Sequence, residues 1–190
     1  MNNVEELAQY IETKASNLER FVIAISGFGG AGKSTTSEHI ATLIGNTTLI
    51  HADDFIKSDD NGALEGFHID WDKLEEQAVK KAKNADILTS RIYDWKSNRS
   101  VFEQVTVNKY IIFEGSMWLL QERLRPYFDL TVWVDVPQNI ANARGKKRDN
   151  EEYGVDHDEL WDNVWSPRET ESFNKLNPAT TADILLKNNF

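Results

Sequence analysis

Gly27-Phe28-Gly29-Gly30-Ala31-Gly32-Lys33-Ser34 follows directly on an apolar run, Phe21-Val22-Ile23-Ala24-Ile25, and leads into a stretch patterned as a helix. The eight residues fit G-x-x-x-x-G-K-[ST], in the strand–loop–helix setting that this motif requires. Four glycines in six positions let the backbone curl so that successive N–H groups face inward, a cradle for phosphate oxygens. The start of the following helix adds partial positive charge. Lys33 is expected to reach the β- and γ-phosphates, and the Ser34 hydroxyl to ligate Mg²⁺. Gly27, Gly29, Gly30, Ala31, Gly32, Lys33, Ser34 and Thr35 are therefore the expected nucleotide contacts, with ATP and Mg²⁺ as the bound species. The motif leaves open what becomes of the γ-phosphate, because kinases, ATPases and inert nucleotide binders all share it.

Outward from this loop, apolar and helical segments alternate. Val4, Leu7, Ala8, Ile11, Ala15 and Leu18 recur at helical spacing and predict an amphipathic helix within residues 1–19. The helix after the loop runs from about Lys33 to Ile44 and ends near Gly45. Short apolar runs predict strands at 47–50, 110–113, 130–136 and 183–186, and a strand or extended segment at 87–93. Helices are expected over 72–83, from 138 into a basic cluster, and over 157–175; residues 58–66 read as a polar loop. Strands alternating with helices imply a parallel sheet covered on both faces. Right-handed crossovers then bring the C-terminal end of every strand to one edge, where open α/β sheets carry their sites.

Composition narrows the partners. A chain of 190 residues suits one domain with a sizeable core. Its 31 acidic and 21 basic residues give a net charge of −10, which disfavours a nucleic-acid or anionic-membrane surface. Phosphate binding must rest on local positive charge. The chain has no cysteine, so disulfides and cysteine–zinc sites are excluded and a reducing cytoplasm suits it. The polar, acidic first residues do not read as a signal peptide, and no apolar stretch approaches the ~20 residues that span a bilayer. Whether the chain forms a homo-oligomer is left open.

Several polar residues fall on the predicted site edge. Asp53 and Asp54 follow the second strand; an acid there can accept the proton of an acceptor hydroxyl, or serve only as a turn or helix cap. Glu114 ends an apolar strand and can hold Mg²⁺ directly or through water. Arg144, Lys146, Lys147 and Arg148 form a basic cluster that suits a lid closing over phosphates, or a helix C-terminus complementing the dipole. Asp149 follows and can hold the Arg148 guanidinium. Asp70, Tyr93 and Asp94 are candidates for an acceptor pocket: a carboxylate suits a vicinal diol and a tyrosine a planar ring. Asp70 reads equally well as a helix N-cap, and Tyr93 as core. The four histidines have no metal-ligand spacing.

Taken in order, these segments resemble the uridine kinase / phosphoribulokinase group of P-loop kinases, nicotinamide riboside kinases included, from Phe21 to Leu186. Asp53-Asp54-Phe55 is similar to the segment whose first Asp is the catalytic base. Phe67-His68-Ile69-Asp70 is similar to the segment whose Asp holds ribose hydroxyls, and Tyr93-Asp94 to the pair bordering the acceptor. Phe113-Glu114-Gly115 resembles the strand end near magnesium, and Arg144 through Arg148-Asp149 the lid, placed at about 144–156. Trp165-Ser166-Pro167-Arg168-Glu169 and Ala182-Asp183-Ile184 resemble the closing helix and last strand. Ile56, Trp71 and Asn98 or Arg99 depart from the group's pattern. The resemblance implies a single α/β domain with the three-layer P-loop NTPase fold, a mostly parallel five-stranded sheet and a short lid. It implies a kinase transferring the γ-phosphate of ATP to a nucleoside-like or sugar-like hydroxyl acceptor. Asp53, Lys33, Arg144 and Arg148 would be catalytic; Asp53, Asp70, Tyr93 and Asp94 would bind the acceptor; Ser34 and Glu114 would hold the metal.

Overall fold

The computed structural model describes residues 1–58, 64–94, 96–97, 99–152 and 154–188, with the side chains of 58 and 64–67 left aside. The chain opens with α1 (Val4–Lys14). Asn3 caps it, its side chain accepting from the Glu6 N–H at 2.8 Å. Val4, Leu7, Ala8, Ile11 and Ala15 are buried along one stripe, whereas Leu18, expected on that stripe, lies beyond the helix and is 45% exposed. Next come β1 (Phe21–Gly27), α2 (Lys33–Ile44) and β2 (Thr47–His51). A 3₁₀ turn (Ala52–Phe55) leads to β3 (Ile56–Ser58) and β4 (Leu64–Ile69), an antiparallel pair. The expected polar loop over 58–66 is thus partly strand, while 59–63 lie outside the described residues. The helix expected over 72–83 is α3 (Trp71–Gln77) followed by a separate 3₁₀ turn (Val79–Lys81).

A second hairpin, β5 (Ile87–Asp94) and β6 (Arg99–Thr106), follows in antiparallel register. The sequence pattern predicts no partner strand for 87–93, so this hairpin departs from strict strand–helix alternation. Asn98 falls outside the described residues. The chain returns to the core with β7 (Tyr110–Gly115) and β8 (Leu130–Asp135). Then come α4 (Gln138–Glu151), α5 (Asp158–Leu160), a π-helical turn (Trp161–Trp165), α6 (Ser166–Leu176), α7 (Pro178–Thr181) and β9 (Ile184–Lys187).

The central sheet has the order β2-β7-β1-β8-β9, and every pairing in it is parallel. Strands β1 and β7 are buried along their whole length, as a sheet covered on both faces requires. Register places Ile25 of β1 and His51 of β2 on either side of Glu114 of β7. Three strands therefore end together beside the phosphate loop. Among the described residues no helix is long and apolar enough to cross a membrane.

Candidate active site

The phosphate loop is held from three sides. Phe28 packs edge-on against Trp133, with ring centroids 5.3 Å apart, and stacks on Phe173 at 5.1 Å. Asn188 donates from Nδ2 to the Ala31 carbonyl at 2.8 Å. Gly30 and Gly32 adopt φ of +78° and +86°, a left-handed conformation that residues with a Cβ rarely take. Gly27 and Gly29 do not. They are glycine because of close approach: a Cβ on Gly29 would lie 2.8 Å from the Trp161 ring, and one on Gly27 3.1 Å from the Val134 carbonyl oxygen. Gly30 also meets the Ala141 carbonyl of α4 at a distance that leaves no room for a side chain. The glycines thus serve helix docking as well as the phosphate cradle.

No side chain caps the first turn of α2, which starts at Lys33. Its leading amides are left for an anion. Ser34 and Thr35 are exposed there, and Lys33 Nζ donates to the Phe28 carbonyl at 3.1 Å.

Across from the loop, Glu114 is buried, 5% exposed, and His51 Nδ1 donates to its Oε2 at 2.8 Å. Burial works to raise the Glu114 carboxyl. The His51 hydrogen bond, the Lys33 charge and a hydrogen bond from Ser34 outweigh it and hold the group below its ordinary value. His51 is correspondingly raised, first by its hydrogen bond to Glu114 and then by the charges of Glu114, Asp54 and Asp53, against the opposing effect of burial. A group raised on folding contributes stability that is complete below its unfolded value of 6.5 and fades as pH rises through its folded one. A lowered carboxyl contributes above its unfolded value of 4.5 and loses that contribution as pH falls through its folded one. Both contributions are therefore complete between the two unfolded values, 4.5 and 6.5. His51→Gln is expected to lower the urea midpoint most near pH 6, with the deficit shrinking at alkaline pH. A deficit independent of pH would contradict the pairing.

Asp53 and Asp54 sit on the 3₁₀ turn after β2. Gly115 is what lets that turn approach β7: a Cβ there would come within 2.6 Å of the Ala52 Cβ. Asp53 keeps an exposed face but is crowded by protein groups. Lost hydration and the Glu114 charge push its carboxyl up; Lys33, His51 and Arg148 pull it down without cancelling the rise. Residues 33, 51, 53, 114 and 148 form one electrostatic cluster.

Arg144 and Arg148 lie one helical turn apart on α4, so they share a face. The stretch expected as a lid is thus helical through Glu151, and Ala141, Gly145 and Asp149 form its buried stripe. Asp149 Oδ1 accepts from Arg148 Nη2 at 2.8 Å and Nε at 3.1 Å. Its Oδ2 accepts from the Trp161 indole N–H at 2.9 Å and lies 3.2 Å from His157 Nδ1. Burial alone would raise Asp149, but the bonds from Trp161, Arg148 and His157 hold it below its ordinary value.

The acceptor-side expectations divide. Asp70 is the N-cap of α3, accepting from the Lys73 N–H at 3.0 Å. Asp94 accepts from the Lys96 N–H at 2.9 Å and the Ser97 hydroxyl at 2.7 Å, so both its oxygens serve the hairpin turn. The Ser97 bond, chiefly, keeps Asp94 below its ordinary value. Tyr93 is buried and helps line a groove of about 390 Å³ with Asp54, Ile92, Asp94, Val101 and Phe102. Phe102 is 79% exposed on β6. Sequence reasoning missed His51, Trp161, Glu169 and Asn188. His51 had one usable signal, its place at the end of an apolar run beside Asp53; the other three had none.

Ser34 and Glu114 supply hard oxygen donors close enough for the Ser34 hydroxyl to stabilise the Glu114 charge, a set that fits Mg²⁺. Among the described residues no group of three or more His, Asp or Glu could hold a metal alone.

A glycine-rich loop opening an uncapped helix, with carboxylates at the ends of neighbouring parallel strands, defines a P-loop kinase fold. Residues 22–185 match the model of the phosphoribulokinase / uridine kinase family, and the chain belongs to that family. It is 32% identical over 151 residues to a uridine kinase of Latilactobacillus sakei, covering 73% of this chain and 71% of that protein. It is 29% identical over 142 residues to a uridine kinase of Borrelia hermsii, covering 70% of this chain and 69% of that one. Among solved structures, a "possible uridine kinase" from Bacillus stearothermophilus superposes with a TM-score of 0.67 at 21% identity, covering 95% of this chain and 99% of that one. A candidate fructose transport system kinase from Silicibacter sp. TM1040 reaches 0.71 at 17% identity, covering 98% and 99%. At such identities these two structures show the fold alone.

Proposed function

We propose that the protein is an ATP- and Mg²⁺-dependent kinase that phosphorylates a hydroxyl of a small nucleoside-like or sugar-like acceptor. The observation that carries this reading is the cluster joining the phosphate-loop Lys33 to Asp53, Glu114 and Arg148. Within that cluster Asp53 is the candidate proton acceptor, and the groove bordered by Asp54 and Phe102 is the candidate acceptor pocket. The relatives named uridine kinase support the acceptor class. Asp54, Tyr93 and the exposed Phe102 suit a planar or ring-shaped acceptor with hydroxyls. Asp94 lines the groove while holding the hairpin turn, and Asp70 caps α3.

The loop amides from Gly27 to Gly32, the α2 amides at Ser34 and Thr35, and Lys33 bind the polyphosphate. Ser34 and Glu114 hold Mg²⁺, which when bound neutralises charge on the phosphates. Asp53 takes the proton of the acceptor hydroxyl as its oxygen forms a bond to the γ-phosphorus. The bond from that phosphorus to the β–γ bridging oxygen breaks, and its electron pair leaves on ADP. Arg144 and Arg148 spread their charge over the transferring group, with Arg148 aimed by Asp149.

The test is ATP consumption measured with and without a panel of nucleosides and sugars. At least one acceptor is expected to stimulate it and to yield a phosphorylated product. Consumption that no acceptor changes would overturn the kinase reading in favour of a hydrolase.

A further inference from the structure

Glu169 lies on α6, 140 residues from the loop it touches, and the proposed reaction does not use it. Its Oε1 accepts from the Gly29 N–H at 2.7 Å. Its Oε2 is buried without a hydrogen-bond partner among the described residues. Burial raises the carboxyl above its ordinary value, while the Gly29 amide and the Lys33 charge draw it back. Lys33 itself donates to the Phe28 carbonyl. Two donors of a loop built for anions are thus engaged by the protein's own oxygens. The Trp161 ring of the π turn, 2.8 Å from where a Gly29 Cβ would stand, closes the same side.

We infer that Glu169 is a specificity-determining residue of the phosphate loop, a carboxylate at the Gly29 amide whose negative charge favours magnesium-complexed nucleotide over bare polyphosphate. The inference rests on reading the loop as a nucleotide site. Repulsion between Glu169 and an incoming polyphosphate grows with the ligand's charge and is strong where surrounding protein replaces water. Mg²⁺ removes two units of that charge, so the complexed nucleotide meets the weaker barrier. Glutamine has the same shape and still accepts from the Gly29 N–H, but it carries no charge. The side chain then separates two roles: the hydrogen bond orders the loop, and the charge selects the ligand.

Isothermal titration of ATP, once with Mg²⁺ and once with chelator, decides between them for the wild type, Glu169→Gln and Glu169→Ala. Thermal denaturation of the nucleotide-free proteins reports the structural role. Glu169→Gln is expected to tighten metal-free ATP roughly tenfold and the magnesium complex only about threefold, with little change in melting temperature. Glu169→Ala is expected to narrow the same affinity ratio while melting lower, because it also loses the Gly29 bond. An unchanged ratio in Glu169→Gln, with both affinities as in the wild type or weaker, would overturn the inference and leave Glu169 as a brace. Wild-type protein that binds neither form would bring down the nucleotide reading along with it.

Discussion

Asp53→Asn is expected to lower kcat roughly 10³-fold, the middle of the range that a positioned general base contributes. That corresponds to about 4 kcal/mol of transition-state stabilisation. The amide has the shape of the carboxylate but cannot take the acceptor's proton. The same substitution is expected to leave the ATP dissociation constant within about threefold of wild type. The polyphosphate is held by the loop amides and Lys33, which donate to it, whereas Asp53 only adds negative charge nearby. The raised carboxyl fits the role, since crowding by protein groups and the Glu114 charge bring it closer to the pH at which it must cycle. Steady-state kinetics on the stimulating acceptor and calorimetric titration of ATP check both halves. Near-normal turnover would remove Asp53 as the base. Lost ATP binding would mean that the variant disturbs the 3₁₀ turn instead.

Gly145→Ala is expected to destabilise the protein, against the ordinary helix preference. Gly145 is buried in the middle of α4, where alanine normally gains up to about 1 kcal/mol over glycine. Here an added Cβ would run into the buried Trp161 ring. Neither neighbour can yield cheaply. The indole N–H is tied to Asp149, and the adjoining ring edge, Cη2 and Cζ3, lies on Gly29. Overpacking of this kind costs about 1–3 kcal/mol, so against the helix gain a net loss of up to about 2 kcal/mol and a fall of up to roughly 8 °C in melting temperature follow. Activity is expected to fall further than stability does, because Trp161 also supports Asp149, and Asp149 aims Arg148. A Gly145→Ala protein that melts higher than wild type would show that α4 can shift away from the π turn. Adding Trp161→Phe, a smaller ring, is expected to restore part of the stability but not the aim of Arg148.

The two substitutions bear on different kinds of information in the chain. The loop from Gly27 to Ser34, the helix ending at Gly45 and the apolar strands were legible because each is decided by neighbouring residues. A continuous apolar run reads as a buried strand wherever its partners are, and Gly45 ends α2 because its backbone takes a positive φ. The β5–β6 hairpin was only half legible. Most of β6 is exposed, so no buried face imprints an apolar run on Arg99–Thr106. Asp70 reads as an acceptor contact or a cap and Asp94 as an acceptor contact; the fold engages both in local turns.

The candidate site was legible as a set of residues on one sheet edge. How they act on one another was not. His51 and Glu114 are 63 residues apart, and only the β2–β7 register brings them into contact. Asp149 was readable as a holder of Arg148 because the two are adjacent. Its bond to Trp161 depends on how the π turn docks.

What the sequence determined by itself was the chemistry of the phosphate cradle and the strand ends that flank it, since eight contiguous residues and the apolar runs around them dictate those local backbone shapes. Tertiary structure alone decided which charges share the cleft, why Gly29 and Gly30 must lack side chains, and that Glu169 faces the loop. Those contacts join residues up to 140 positions apart, and they arise from strand register and helix docking, which minimise exposed apolar surface and steric overlap across the whole chain and leave no periodic trace along it.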